Sequence, residues 1–394
     1  MSLKAKCFLF ADFIFLLLMV RIAIAQQDTS LVKTSTDSIP EPREFSLIFT
    51  GDVMQHDSQI KGAYNPATKA YEYDSNFYYL KDILSSADYT IANLELTLGG
   101  TPYKGYPTFS SPDNLAVSLQ NNGIDCLVTA NNHSCDRRKK GIVRTIDVLD
   151  SLNLAHTGTF KTESARDTLY PMLIEKNGFR LALLNYTYGT NGIPVPSPTV
   201  VNLIDKESMK RDLERAKAMN PDKIITVIHW GWEYQSYPNP DQKSTADFLV
   251  ENGCDIIIGM HPHVIQPMEN YYDTTLQKDI VKIYSLGNFI SNQRKQKTDG
   301  GSILRIELQK SGDLVTVKEV GYLLTWVQTK VIENRKFWYV LPASYHEQHP
   351  NRLTDKDITK MKLFISDSRK LLRKSNINVP EYVWNNRITN WTLK

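Results

Sequence analysis

The sequence predicts an α/β fold built on a largely parallel sheet, and three observations carry that reading. Apolar, β-branched runs alternate with helix-period segments from Phe45 onward, the rhythm of strands joined by crossover helices. Asp255-Ile256-Ile257-Ile258, closed by Gly259, has no polar face, as suits a strand covered on both sides. Chemistry-bearing residues stand where such runs end, and ligand sites in open α/β sheets gather at the carboxyl ends of strands.

Residues 1–25 have the pattern of a signal peptide. Lys4 and Lys6 precede the apolar stretch Phe8 to Val20, and Ala23-Ile24-Ala25 offers small residues for cleavage before Gln26. Asp12 and Arg21 cut the apolar run below the roughly 20 residues of a spanning helix, so cleavage leaves no transmembrane anchor. The expected location is exported, periplasmic or extracellular. Residues 26–44 are polar, rich in Ser and Thr, and end in Pro40 and Pro42, as a flexible tether does.

The main domain is expected over 45–292. Its first half carries strands at 45–52, 89–95, 125–133 and 154–158, with helices near Asn76 to Ala87, Asp113 to Asn122 and Arg138 to Leu152. Asn177-Gly178 between two apolar runs predicts a hairpin over 171–187. The α/β rhythm resumes with a helix near Asp205 to Met219, a strand at 223–231, a helix near Gln242 to Asn252 and strands at 255–263 and 281–290. Residues 293–394 then supply strands, turned at Ser311-Gly312, and a helix near Asp355 to Lys374 that complete the domain.

Charge excludes one class of partner. The formal net charge of +3 falls to +1 without Lys4, Lys6, Arg21 and Asp12, which is no footprint for nucleic acid. Cys126, Cys135 and Cys254 lack zinc-knuckle spacing, and Cys126 and Cys254 open apolar strands as small core residues do.

The strand ends carry the chemistry. Asp52 follows "LIFTG", Glu95 follows "TIANL", Asn132 and His133 follow "LVTAN", His229 follows "IITVI", and His261 and His263 follow "IIIGM". Parallel neighbours would bring these to one sheet edge as a set of oxygen and imidazole ligands suited to one or two divalent ions, manganese, zinc or iron. Two ions about 3.5–4 Å apart suit an in-line displacement at phosphorus, so a hydrolase is expected. Residues two apart in extended chain point the same way, which would aim His261 and His263 together.

"FTGDVM", "ANLE", "TANNHSCD", "NYTYGTN", "VIHWGWEY", "GMHPHVIQP" and "YSLGNFI" stand in the order found in CapA-type capsule (poly-γ-glutamate) synthesis proteins, a family that resembles the calcineurin-like metallophosphoesterase superfamily. The resemblance covers about 45–292 and implies a four-layer α/β/β/α sandwich. It implies Asp52 as the first-metal aspartate, Glu95 as the bridging carboxylate, Asn132 as the amide ligand, and His229, His261 and His263 as the remaining ligands. His133 resembles the general acid, with Asp136 orienting it. Met54 stands where the superfamily has an imidazole, and His56 is the residue that could replace it. Trp230, Trp232, Glu233, Tyr186 and Tyr188 are candidates to line a substrate groove. The implied substrate is a phosphoester or an anionic cell-surface polymer, with capsule-assembly proteins as partners. Two alternatives stay open: a non-catalytic capsule biogenesis factor that binds polymer, and an enzyme resembling secreted 5′-nucleotidases.

Overall fold

Four parallel strands come first in the computed structural model, which describes residues 41–385 and 390–394. They are β1 (Arg43–Val53), β2 (Tyr89–Leu94), β3 (Cys126–Val128) and β4 (Ala155–Thr157). The signal-peptide segment and residues 26–40 of the tether lie outside the described residues. Strand β1 begins two residues before Phe45, because Arg43 and Glu44 already pair with Lys310 and Gln309.

Helices α1 (Asp57–Ala63), α2 (Asp74–Phe77), α3 (Lys81–Leu84), α4 (Asn114–Asn121) and α5 (Arg138–Ser151) link these strands. The single helix expected near Asn76 to Ala87 is instead two short ones. The run Phe77-Tyr78-Tyr79 at the break has low helix propensity, although Phe77, Leu80, Ile83 and Leu84 are still buried.

Helix α6 (Glu163–Leu169), capped by Thr162, leads into the expected hairpin of β5 (Met172–Lys176) and β6 (Phe179–Thr187). Asn177 (φ 53°) and Gly178 (φ 78°) both take the left-handed turn conformation that such a two-residue loop requires. Helix α7 (Lys206–Ala218) starts at the Asp205 cap, and β7 (Lys223–His229) follows. Helix α8 (Pro240–Glu251) begins before the expected Gln242, since Asn239 caps it and Pro240 fits its first turn.

Strands β8 (Ile256–Met260), β9 (Met268–Asp273) and β10 (Lys278–Ile283) finish a six-stranded sheet of order β9-β10-β8-β7-β6-β5. Its centre is parallel and its edges β5 and β9 are antiparallel. The expected strand 281–290 divides between sheets. Past Gly287 (φ 72°), β11 (Asn288–Ile290) pairs instead with β1, setting Asn288 beside Asp52.

Strands β12 (Gly300–Ser311), β13 (Leu314–Ile332) and β14 (Arg335–Pro342) then extend the first sheet to eight strands, in the order β14-β13-β12-β1-β2-β3-β4 with β11 alongside β1. Helices α9 (Ala343–Gln348) and α10 (Asp355–Ser375) and the hairpin of β15 (Tyr382–Asn385) and β16 (Asn390–Leu393) close the described chain. By internal contacts, residues 42–394 are one unit. Among the described residues no helix is long and apolar enough to cross a membrane.

Burial follows the strand period and defines four layers. Phe45, Leu47 and Phe49 of β1 share one apolar cluster with Leu181, Leu183, Ile225, Val227, Ile256 and Ile258 of the other sheet, so the sheets pack face to face. Alternate residues face outward. Ile48, Ala92 and Leu127 pack with Phe77, Leu115 and Leu149 of the first helical layer, while Ala182, Ile224 and Ile257 pack with Leu213 and Leu249 of the second. Each fully buried Leu or Ile contributes about 1.5–3 kcal/mol. The fold is therefore an α/β/β/α sandwich. The carboxyl ends of β1, β2, β3, β7 and β8 converge on one rim.

Candidate metal centre

The path of β1 sets the first carboxylate. A Cβ on Gly51 would stand 1.9 Å from the Gly287 carbonyl oxygen, so only glycine lets the Asp52 amide donate to that oxygen at 3.0 Å. Asp52 is wholly buried there, and its Oδ1 accepts from Asn93 Nδ2 at 2.7 Å. Its Oδ2 lies 3.3 Å from both His263 Nδ1 and the His261 amide nitrogen.

Glu95, one residue past β2, stands between three imidazoles. Its Oε1 is 3.6 Å from His229 Nε2 and 3.8 Å from His263 Nε2. Ligand atoms of Glu95, His261 and His263 all lie within 4.8 Å of one another, as do those of Asp52, Glu95 and His229. Two groups sharing one carboxylate could hold a pair of divalent ions with Glu95 between them.

Unmet polar atoms fit such a charge. Both Glu95 oxygens and His261 Nδ1 are buried with no hydrogen-bond partner among the described residues, an arrangement that is costly without a cation. Burial, with Asp52 adding to it, pushes the Glu95 carboxyl well above its usual range. Burial also drives His229 and His261 well below the imidazole range, assisted by His263 and His133, and so keeps them in the neutral, ligating form. The donor set is oxygen and imidazole with no thiolate, which suits manganese, zinc or iron.

The histidine pair reaches the site by a different route from extended alternation. Strand β8 stops at Met260, and His261 (φ 97°) and His263 (φ 58°) both sit in left-handed backbone. The turn, not the pleat, brings their rings to centroids 5.8 Å apart. Strained backbone of this kind persists where the surroundings over-determine it.

Asn132 reaches the rim with its Oδ1 3.0 Å from His229 Nε2. Beside it, His133 Nδ1 lies 2.8 Å from Asp136 Oδ2, which also accepts from the Phe109 amide at 2.6 Å. The Phe109 ring packs edge-on to His133 at 4.6 Å. Tyr188 covers His261 at 4.6 Å between centroids and is 47% exposed, as a residue on the rim should be. Trp232 and Glu233 are exposed in the loop after β7.

Two residues expected in a groove are elsewhere. Tyr186 is fully buried on the helix-facing side of β6 and donates its hydroxyl to Asp212. Trp230 lies in the same outer cluster and donates Nε1 to the Tyr284 carbonyl. Nor does His56 join either ligand group. It caps α1, paired with Gln59, while Met54 is buried in the first outer cluster.

Sequence reasoning missed Asn93 and Asn288. Asn93 Nδ2 bridges Asp52 Oδ1 and His229 Nδ1, the latter at 3.2 Å, and Asn288 Oδ1 stands 3.1 Å from His263 Nδ1. Both orient ligands from behind. The signal was present: Ile91, Asn93 and Glu95 share one face by alternation, and Asn288 lies within "YSLGNFI". Cys126, Cys135 and Cys254 are buried free thiols.

The family described as "Bacterial capsule synthesis protein PGA_cap" matches residues 46–293. The "PGA biosynthesis protein CapA" of Bacillus subtilis (strain 168) is 28% identical over 315 residues, 77% of this chain and 77% of that protein. The "Capsule biosynthesis protein CapA" of Bacillus anthracis is 26% identical over 288 residues, 70% of this chain and 66% of that one. Among solved structures, the calcineurin-like phosphoesterase YfkN from Bacillus subtilis aligns at 15% identity and TM-score 0.41, covering 72% of this chain and 90% of its own. A 5′-nucleotidase from Candida albicans SC5314 aligns at 12% and 0.35, covering 83% and 58%. A match over most of the described chain, spanning every strand end that bears a candidate ligand, settles the kinship: the chain belongs to the bacterial capsule synthesis protein family PGA_cap.

Proposed function

We propose that this protein is an exported, metal-dependent hydrolase acting on a phosphoester or a cell-surface polymer in capsule metabolism. The observation that carries the reading is the pair of ligand groups joined by Glu95, with the His133–Asp136 pair beside them. Asp52, Glu95, His229, His261 and His263 would hold one or two divalent ions, with Asn132 at their edge. Such ions supply Lewis acidity toward the ester or amide oxygen and toward water. Asp136 accepts at Nδ1 of His133 and fixes the ring, so that Nε2 can pass a proton to the leaving oxygen or nitrogen. Phe109 keeps water from one side of that ring, and Tyr188 and Trp232 offer flat surfaces for the remainder of a substrate.

One observation favours a second reading, a polymer-binding capsule factor without turnover. Met54 is packed into the apolar cluster, and His56, at the start of α1 with Nδ1 beside Gln59 Oε1 and the Asn292 amide, belongs to neither ligand group, so the first metal position gains no imidazole from this segment. The discriminating experiment is metal content by mass spectrometry, with phosphomonoester and phosphodiester hydrolysis on the same samples, for wild type, His261→Ala and His133→Ala. The hydrolase reading expects metal and activity to fall together in His261→Ala, and activity alone to fall in His133→Ala. A protein that never hydrolyses either ester, even with added manganese or zinc, sinks it in favour of the binding reading.

A further inference from the structure

Away from the metal centre, the edge of the eight-stranded sheet and the start of α10 enclose an open groove of about 1130 Å³. Arg294, Lys330, Lys336, Arg352, Lys356 and Lys360 line it. The only carboxylate among the lining residues, Asp357, is already bonded to Gln328 and the Thr354 amide. The groove thus holds five net positive charges, while the whole chain carries +3, so the remainder of the chain is net negative.

None of the six cations makes a close ion pair among the described residues, although Asp299 acts on Arg294 and Lys360, and Asp357 acts on Arg294. Lys330, Lys356 and Lys360 are exposed and make no ion pair among the described residues. Arg294 donates to the Val327 carbonyl and lies over Trp326, Lys336 lies over Trp338, and Arg352 donates to the Tyr79 hydroxyl. Burial pushes both Arg294 and Lys336 below their usual ranges, and the nearness of Arg294 lowers Lys336 further. The cations come from β13, β14, α10 and two connecting segments, so six positive charges share one groove of about 1130 Å³. That number suits a ligand bearing several anions better than a single phosphate.

The groove is tied to the metal centre by a short stretch of chain. Asn288 touches His263, and Arg294 lies six residues further on. Fully extended, six residues span at most about 22 Å, which bounds the separation of the two Cα atoms. One strand of polymer could therefore engage both.

We infer that this groove is a binding site for an extended, carboxylate-bearing polymer chain, held by Lys330, Lys356, Lys360 and Arg352 while an adjoining part of the chain reaches the metal centre. The inference rests on the polymer form of the proposed function. The test is binding of a fluorescent glutamate oligomer, at rising salt, to the full chain and to the triple variants K330Q/K356Q/K360Q and K330E/K356E/K360E. Polyphosphate and single-stranded DNA serve as competing probes, and metal content and small-ester hydrolysis are recorded throughout.

Wild type should bind the oligomer with an affinity that falls as salt rises. The glutamine variant should lose at least tenfold and the glutamate variant all measurable binding, with metal content and melting temperature unchanged. Equal binding by wild type and the folded glutamine variant overturns the site. Tighter binding of polyphosphate or DNA than of the glutamate oligomer overturns the assigned ligand. Groove-dependent binding without ester hydrolysis leaves the site standing and removes only the hydrolase reading.

Discussion

Nδ1 of His133 lies 2.8 Å from Oδ2 of Asp136, and that same oxygen accepts the backbone amide of Phe109. One carboxylate oxygen thus fixes both the ring and the loop that shields it. Asp136→Asn should lower kcat by roughly ten- to a hundredfold and shift the pH profile, while His133→Ala should cost about 10²–10⁴ in kcat. Neither should remove metal. Steady-state kinetics against pH, with metal content on each variant, checks both outcomes.

Glu95 is wholly buried, and neither of its oxygens has a hydrogen-bond partner among the described residues. At pH above the unfolded carboxylate range, Glu95→Gln should therefore raise the melting temperature of metal-stripped protein, since wild type must either bury that charge beside Asp52 or take up a proton to avoid it. With manganese or zinc present the order should reverse, because metal bound only to the folded state stabilises wild type more. Thermal melts with and without chelator read both signs.

Gly51→Ala should destabilise by about 3 kcal/mol or more, because its methyl group meets the Gly287 carbonyl rather than a movable side chain. The displaced Asp52 should lower metal content even where the protein still folds. Denaturant unfolding and metal analysis measure the two effects.

Asp299 gives a pH-dependent contribution. Burial pushes its carboxyl above the ordinary range, against the opposing pull of Trp326 Nε1 and Arg294. A folded-state pKa above the unfolded one means that the folded protein binds more protons in that window, so stability falls as pH rises through it. Asp299→Asn should flatten this slope between the unfolded carboxylate range and the raised value. Denaturant midpoints taken across acidic pH test it.

Tyr186 and Tyr188 should separate cleanly. Tyr186→Phe removes a buried bond to Asp212, which also pairs with Arg166, and should cost about 1 kcal/mol with turnover unchanged. Tyr188→Ala removes the ring over His261 and should raise KM with little change in stability. Unfolding curves beside kinetics distinguish them.

Much of this was legible because strand and turn signals are local. Asn177-Gly178 specified its hairpin, and apolar runs ending in Asp52, Glu95, His229 and His261 marked the rim where the ligand groups form. What escaped needed tertiary knowledge. Trp230 and Tyr186 sit beside candidate residues in sequence, yet alternation puts them on the helix-facing side: Ile225 and Val227 face the other sheet, whereas Ile224, Ile228 and Trp230 face the helices. The left-handed turn at His261 and His263 was marked only by Pro262 between them, since neither histidine is itself a turn former. The transfer of Asn288 into the first sheet depends on the two sheets already lying together.

The antiparallel pairing of β12 with β1, from Arg43 opposite Lys310 to Thr50 opposite Ile303, bears on how this protein can be cut. A fragment ending at residue 293, where the family match stops, would retain every candidate ligand. It would also strip one edge of the strand that carries Asp52, leaving a row of unpaired amides and carbonyls open to self-association. The shortest piece worth expressing therefore runs past Pro342. An expression trial guided by motif coverage alone would yield inclusion bodies holding all the right side chains.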